Sequence, residues 1–126
     1  MKPEDVAVWD RFIDTNPAFF DSVDYNYPLG EGVDVGEDEP ETQRRGFQIL
    51  TQKKVDVVGY RADGVTIVEV KPIADMRGLG QALSYSHLFA LAHPEAVPLS
   101  RMVVAGEMER DLEAVYAAQG VLFEQA

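Results

Sequence analysis

The sequence predicts an α/β fold in which a central sheet is flanked by helices. Its 126 residues are enough for one domain with its own core, and 46% hydrophobic content is typical of a folded globular protein. Stretches with apolar residues at helical spacing alternate with valine-rich stretches typical of strands. The predicted order is helix, three strands, helix, strand, helix and strand, in a single domain over residues 1–126.

The first third of the chain is predicted to form a helix, a strand and a loop. Residues 3–14 carry apolar side chains at helical spacing, and residues 19–29 are aromatic and alternate as strands do. Residues 30–42 (GEGVDVGEDEPET) have the glycine, proline and acidic composition of a loop. Residues 44–51 fit both a strand and a short helix, with Phe47 and Leu50 on the helix face.

A β-hairpin has the clearest pattern in the sequence. Residues 53–60 (KKVDVVGY) and 65–71 (VTIVEVK) are valine-rich, and residues 61–64 (RADG) favour a tight turn. Pro72 is expected to end the second strand. The remaining elements are predicted to be a helix over 79–91, a strand over 101–105, a helix over 107–119 ended by Gly120, and a strand over 121–123.

The hairpin is expected to gather two carboxylates and one ammonium group. Side chains alternate along a strand, so Glu69 and Lys71 share a face. A turn centred on Asp63-Gly64 pairs position 56 with 71, and a turn centred on Ala62-Asp63 pairs it with 69. Both registers place Asp56 on the face of Glu69 and Lys71. The other interpretation is a surface salt bridge across two strands, a common and weak feature.

The residue types indicate what chemistry such a group supports. The sequence has no cysteine and two histidines, so a metal would be held by oxygen ligands, as magnesium, manganese and calcium are. Adjacent carboxylates repel unless a cation lies between them. A divalent metal with a nearby lysine can activate water for attack on a phosphodiester.

The predicted helix after the hairpin carries Gln81 and Tyr85 one turn apart on one face. A glutamine and a half-buried tyrosine are ordinary in a surface helix, so this pair alone does not indicate a site.

The stretch over residues 53–85, KKVDVVGYRADGVTIVEVKPIADMRGLGQALSY, resembles the PD-(D/E)XK nuclease superfamily. The shared pattern is Asp56 on one strand, Glu69-Val70-Lys71 on the next, and then a helix. Gln81 and Tyr85 are similar to the Gln-x-x-x-Tyr element of the RecB-type branch. The resemblance implies a restriction-endonuclease-like core, with a mixed central sheet and flanking helices.

The resemblance also implies roles for individual residues. Asp56 and Glu69 would bind Mg²⁺, or Mn²⁺ as a substitute, with the Val70 carbonyl as a further ligand. Lys71 would orient or activate the attacking water.

The same resemblance implies supporting residues. Gln81 would hold Lys71 or the substrate backbone, and Tyr85 would support the site or contact a phosphate. An acidic residue of the first helix often joins such sites; Glu4 and Asp10 are candidates, Asp10 being better placed, and Asp24 on the first strand is another.

Charge is unevenly distributed along this acidic chain, which has a formal net charge of −11. Such a charge argues against binding nucleic acid through a generally basic surface. However, seven of the eleven Lys and Arg residues lie within residues 43–82. The candidate phosphate contacts there are Arg44, Lys53, Lys54 and Arg77. The same basic residues could instead balance the acidic loop at residues 31–41, which would then act as a lid.

The sequence thus favours a Mg²⁺-dependent phosphodiesterase, a deoxyribonuclease whose endo or exo character stays open. The alternative is a non-catalytic or weakly active member of the fold that binds a nucleic-acid or protein partner. DNA is the expected partner, and a homodimer or a larger complex would supply specificity. The lack of an apolar membrane span and of a signal sequence leads us to expect a cytoplasmic protein of prokaryotic or phage origin.

Overall fold

The computed structural model contains one five-stranded sheet with helices packed on both faces. It describes residues 1–32 and 34–126, and for Phe47, Ile49, Leu50 and Thr51 it describes the backbone alone. The elements are α1 (Pro3–Thr15), β1 (Ser22–Leu29), α2 (Glu41–Thr51), β2 (Lys53–Arg61), β3 (Gly64–Ala74), α3 (Met76–Ala92), β4 (Leu99–Met108), α4 (Glu113–Ala118) and β5 (Leu122–Gln125).

The sheet has the strand order β1-β2-β3-β4-β5. The first three strands form an antiparallel meander, while β4 and β5 each run parallel to the preceding strand. This arrangement confirms the predicted α/β class with a mixed central sheet. Parallel neighbours require a crossover, which α3 supplies between β3 and β4 and α4 supplies between β4 and β5.

Two layers of apolar side chains hold the helices against the sheet. On one face the α1 stripe, including Trp9 and Phe12, packs on Val57, Val68 and Val70. On the other face, Phe89 of α3 packs against β1, β2 and β3; the buried members of this cluster are Leu29, Val55, Val58, Ile67 and Phe89. Strands covered on both faces carry apolar residues at successive positions, which explains the valine runs of β2 and β3.

The hairpin turn selects one of the two predicted registers. Arg61 pairs with Gly64, so Ala62 and Asp63 form the turn. This is the register that places position 56 opposite position 69. Gly64 has φ +151°, and its backbone approaches Pro98 closely: a Cβ at this position would lie 2.5 Å from the Pro98 carbonyl oxygen.

We therefore expect Gly64→Ala to lower the free energy of unfolding by about 1–3 kcal/mol, because a backbone oxygen cannot move away cheaply. Gly80→Ala is the matched control: the same methyl group meets nothing within 4 Å. It lies inside α3 and should stabilise by up to about 1 kcal/mol. Urea titrations of both variants measure the difference. Equal stabilities would contradict the close approach at Gly64.

Pro72 does not end β3, contrary to the sequence prediction. The Val65 N–H points to the β4 side, where it donates to the carbonyl of Pro98, the residue before β4, and the Val70 N–H points to β2. By alternation, position 72 also faces the β2 side, where the pairing with β3 has already ended at Val57↔Val68. The proline therefore removes no bond of the sheet, and β3 continues to Ala74.

The later helices and strands begin and end at other residues than the sequence predicts. The predicted helix over 107–119 is wrong in its first half, because β4 pairs with β3 as far as Met108 and leaves α4 only Glu113–Ala118. Gly120, with φ +66°, ends α4 as predicted. The ambiguous residues 44–51 lie in helix α2, and α3 begins at Met76 because Asp75 caps it by accepting a hydrogen bond from the Gly78 N–H.

Among the described residues, no helix is both long enough and apolar enough to cross a membrane.

Candidate active site

The candidate site lies where β2 and β3 separate. The two strands pair from the turn as far as Val57↔Val68; beyond this point β2 continues alongside β1, and β3 alongside β4. Asp56 and Glu69 are the next residues after the last pair. Their side chains bridge the opening: the Asp56 N–H donates to Glu69 Oε2 at 3.0 Å, and the Val70 N–H donates to Asp56 Oδ2 at 2.9 Å.

The two carboxyl groups lie next to each other, with Glu69 buried and Asp56 half-buried. Glu69 is only 2% exposed, and burial together with the neighbouring Asp56 charge raises the pKa of Glu69 to about 8. Burial also raises the pKa of Asp56, against the opposing effects of the Val70 N–H and the Lys71 charge. A cation placed between the carboxyl groups would remove this repulsion.

Lys71 lies two residues beyond Glu69 on β3 and is half-buried. Its positive charge acts on both carboxyl groups and lowers the pKa of each. The structure therefore brings together the three residues that the hairpin pattern predicted, in the register that pairs position 56 with position 69.

Helix α3 places Gln81 and Tyr85 beside these groups. Burial together with the charges of Glu69 and Asp56 raises the pKa of Tyr85, and the neighbouring Gln81 side chain opposes this rise. The Gln81 Oε1 atom is buried without a hydrogen-bond partner among the described residues. An unpaired buried acceptor costs free energy, so this oxygen is available to a donor such as an ammonium group.

Asp5, rather than Asp10, is the first-helix acid whose charge acts on the site. Asp5 is 7% exposed, and its charge raises the pKa of both Asp56 and Glu69. Asp10 and Glu4 are exposed. The sequence contained a signal for this, because Asp5 precedes Val8, Trp9 and Phe12 at helical spacing and so occupies the core-facing stripe of α1.

Two further candidates are engaged elsewhere. Asp24 accepts a hydrogen bond from the Tyr60 hydroxyl at 2.7 Å. Burial is the main cause that raises the pKa of Tyr60, and this hydrogen bond is the second. Arg44 forms a two-pronged ion pair with Asp34 of the acidic loop, with Nη2 2.5 Å from Oδ2. Of the two interpretations of the basic residues, the structure supports loop balancing for Arg44. Val33 of that loop lies outside the described residues.

The other candidate phosphate contacts, Lys53, Lys54 and Arg77, have exposed side chains. Lys53 and Lys54 begin β2, three and two residues before Asp56, and Arg77 lies in the first turn of α3. The Arg77 charge lowers the pKa of Tyr85, so Arg77 is within electrostatic reach of the site.

The donor set fits a hard divalent cation. Asp56 and Glu69 each use one carboxyl oxygen to accept a backbone N–H, which fixes the carboxyl group and leaves its second oxygen for a cation. Within residues 1–32 and 34–126, no three Asp, Glu, His or Cys side chains are grouped to hold a metal. A metal here would therefore use two carboxylates, the Val70 carbonyl and water, which is the incomplete protein shell that Mg²⁺ accepts.

Two solved structures with this fold are nucleases or DNA complexes. A repair endonuclease from Pyrococcus abyssi matches with a TM-score of 0.58 and 17% identity over 100% of this chain and 47% of its own. The EndoMS–dsDNA2 complex matches with a TM-score of 0.57 and 16% identity over 96% of this chain and 44% of its own.

This similarity shows the fold, and the chain spans less than half the length of either protein. No protein-family model matches the sequence, and no curated protein is similar to it.

Proposed function

We propose that the chain is a metal-dependent deoxyribonuclease of the PD-(D/E)XK type. The supporting observation is the pair of carboxyl groups of Glu69, which is buried, and Asp56, which is half-buried, held at the separation of β2 and β3 beside Lys71. The fold is also that of a repair endonuclease and of a protein solved with double-stranded DNA. A surface salt bridge would explain neither the burial of Glu69 nor the raised pKa values.

In the proposed reaction, water forms a bond to phosphorus and gives up a proton, one P–O ester bond breaks, and the leaving oxygen takes up a proton, so that water is added across the ester bond. When bound, Mg²⁺ supplies positive charge against the phosphate and makes water more acidic. Asp56, Glu69 and the Val70 carbonyl hold the cation. The Lys71 ammonium orients the attacking water and balances the negative charge that develops on the phosphate.

The α3 residues complete the proposed machinery. The Gln81 Oε1 atom, which has no partner among the described residues, would accept a hydrogen bond from Lys71 and so fix the ammonium group. The Tyr85 hydroxyl, one helical turn from Gln81, would contact a phosphate oxygen. Because burial and the two carboxylates keep Tyr85 protonated, it acts as a hydrogen-bond donor.

The acidity of the chain bears on how DNA reaches this site. A net charge of −11 repels a polyanion, and this chain spans less than half of each structural neighbour. We infer that a further domain, a second copy or a partner protein supplies most of the DNA affinity.

The direct test is cleavage of single-stranded, duplex and branched DNA with Mg²⁺, Mn²⁺, Ca²⁺ or chelator. We expect cleavage with Mg²⁺ and Mn²⁺, and binding without cleavage with Ca²⁺. Lys71→Ala and Glu69→Ala should lose cleavage, while Arg110→Ala, which removes an exposed cation after β4, should keep it. Cleavage that persists in both site variants would rule out this site. Metal-independent partner binding without any cleavage would favour the non-catalytic alternative.

Asp5 gives a second, smaller prediction. Asp5→Asn removes a charge that acts on both site carboxyl groups. The cleavage rate at a fixed Mg²⁺ concentration should therefore fall by about tenfold, as when neighbours that tune a metal site are lost. Asp10→Asn changes the same group at an exposed position of the same helix and should have no effect. The measurement is the Mg²⁺ dependence of the cleavage rate; equal behaviour of the two variants would contradict the role of Asp5.

A further inference from the structure

In strands β1 and β2 the regular alternation of side chains between the two faces of the sheet is interrupted at one position. Tyr25 and Tyr27 are two residues apart and would share a face in a regular strand. Instead, the Tyr25 hydroxyl accepts a hydrogen bond from Trp9 Nε1 of α1 at 3.0 Å. The Tyr27 ring packs on Phe89 of α3, with ring centroids 5.6 Å apart. Because α1 and α3 cover opposite faces of the sheet, these tyrosines point to opposite sides.

The neighbouring strand shows the same reversal. Val57 belongs to the apolar cluster under α1, and Val55 to the cluster under α3. Tyr25 pairs with Val57 and Tyr27 pairs with Val55. The residues between these pairs are Asn26 and Asp56, which lie opposite each other in this register. The reversal therefore occurs at Asn26 on one strand and at Asp56 on the other.

Asn26 has a backbone conformation that explains the reversal. Its φ is +51°, in the left-handed region that asparagine tolerates better than most residues and that β-branched residues avoid. A left-handed residue inside a strand rotates the chain beyond it. Across the ladder, the Asp56 side chain turns toward β3 and accepts the Val70 N–H at 2.9 Å.

We propose that Asn26 is a positioning residue of the site: its left-handed backbone sets the direction of the Asp56 carboxyl group. This inference rests on the proposed function for its catalytic consequence, although the structural part stands on the hydrogen bonds. Asn26 touches no reacting atom and acts through Asp56. Strained residues beside active sites are a known way of fixing an unusual side-chain direction.

The test compares Asn26→Gly with Asn26→Val. Glycine adopts positive φ readily, and valine resists it. Asn26→Gly also removes the contact between Asn26 Oδ1 and the Met1 ammonium group, so it separates the side chain from the backbone conformation. Asn26→Ala, with an intermediate preference, replaces the valine variant if that variant does not fold. Asp111→Val is the matched control, because Asp111 also has positive φ, +69°, in the turn after β4.

Amide hydrogen exchange at Val70 reports on the Asp56 contact directly. In Asn26→Val we expect exchange at Val70 to be faster by about tenfold, the equivalent of one lost hydrogen bond of about 1.4 kcal/mol. The Val65 amide in the same strand, which donates to the Pro98 carbonyl, should be unaffected. Asn26→Gly and Asp111→Val should leave Val70 protected. Mn²⁺ binding and cleavage should show the same order among the variants.

The outcomes separate this inference from the proposed function. Equal protection of Val70 in Asn26→Val and the wild type would overturn it. An equal loss in Asn26→Gly would overturn it too, because the side chain would then be responsible. If the wild type neither binds Mn²⁺ nor cleaves DNA, the proposed function fails, and exchange at Val70 still decides whether Asn26 directs Asp56.

Discussion

Glu69→Gln should lower kcat/KM for DNA cleavage by about a thousandfold or more, equivalent to about 4 kcal/mol of transition-state stabilisation. The amide has the length of the carboxylate and can still accept the Asp56 N–H through its oxygen, as Glu69 Oε2 does at 3.0 Å. What it loses is the negative charge that would hold the cation. The loss should therefore come from metal binding and not from a changed hairpin.

The first control for this variant is a measurement that the hairpin keeps its structure. Exchange at the Asp56 amide should stay slow in Glu69→Gln, because its acceptor remains, while calorimetric Mg²⁺ or Mn²⁺ binding disappears. Glu107→Gln changes an exposed carboxylate near the end of β4 and should cleave normally. A Glu69→Gln protein that retains more than about a tenth of the wild-type kcat/KM would exclude Glu69 as a ligand essential to the reaction.

The hairpin and its cluster were predictable because the information is local. Alternation and turn length left two registers, and both placed Asp56 with Glu69 and Lys71. The choice between the registers required the backbone around Gly64 and Pro98, which no local pattern contains. The extension of β3 through Pro72 is possible because β2 no longer pairs with β3 at this position. It therefore depends on the arrangement of the sheet and not on the local sequence.

Other errors have the same physical origin. The predicted last helix is wrong in its first half because residues 107 and 108 still pair with β3 and the helix begins only at Glu113, so that tertiary pairing outweighs helix propensity. Asp10 looked suitable beside Trp9, yet Asp5 occupies the buried stripe of α1. The left-handed Asn26 has no sequence signature in an aromatic strand. The hairpin pattern thus predicted that Asp56, Glu69 and Lys71 share a face, whereas the irregular backbone that directs Asp56 is visible only in three dimensions.

The same burial that would serve catalysis should make the metal-free protein less stable as pH rises. The pKa of Glu69 is raised from 4.5 to about 8 in the folded state, chiefly by burial and then by the Asp56 charge. Between these values the folded protein binds a proton that the unfolded chain releases. The free energy of unfolding therefore falls from about pH 4.5 to pH 8, by at most about 1.4 kcal/mol per pH unit for this group, and levels off above pH 8.

Urea titrations of metal-free protein between pH 5 and pH 9 test this, with Glu69→Gln as the comparison. The variant should lose most of this slope and should be more stable than the wild type at pH 8, since it carries no buried charge beside Asp56. Glu4→Gln, an exposed change on α1, should keep the wild-type slope. Identical slopes for wild type and Glu69→Gln would show that Glu69 is not the group responsible.

Divalent metal should reverse the order of stability. At pH 8 and a Mg²⁺ concentration a hundredfold above its dissociation constant, the wild type should gain about 2.7 kcal/mol, because the cation binds the folded state. Glu69→Gln should gain little. The variant would then be the more stable protein without metal and the less stable one with it. An ordinary structural salt bridge gives no such crossover, since removing one partner of a buried pair destabilises the protein at every metal concentration.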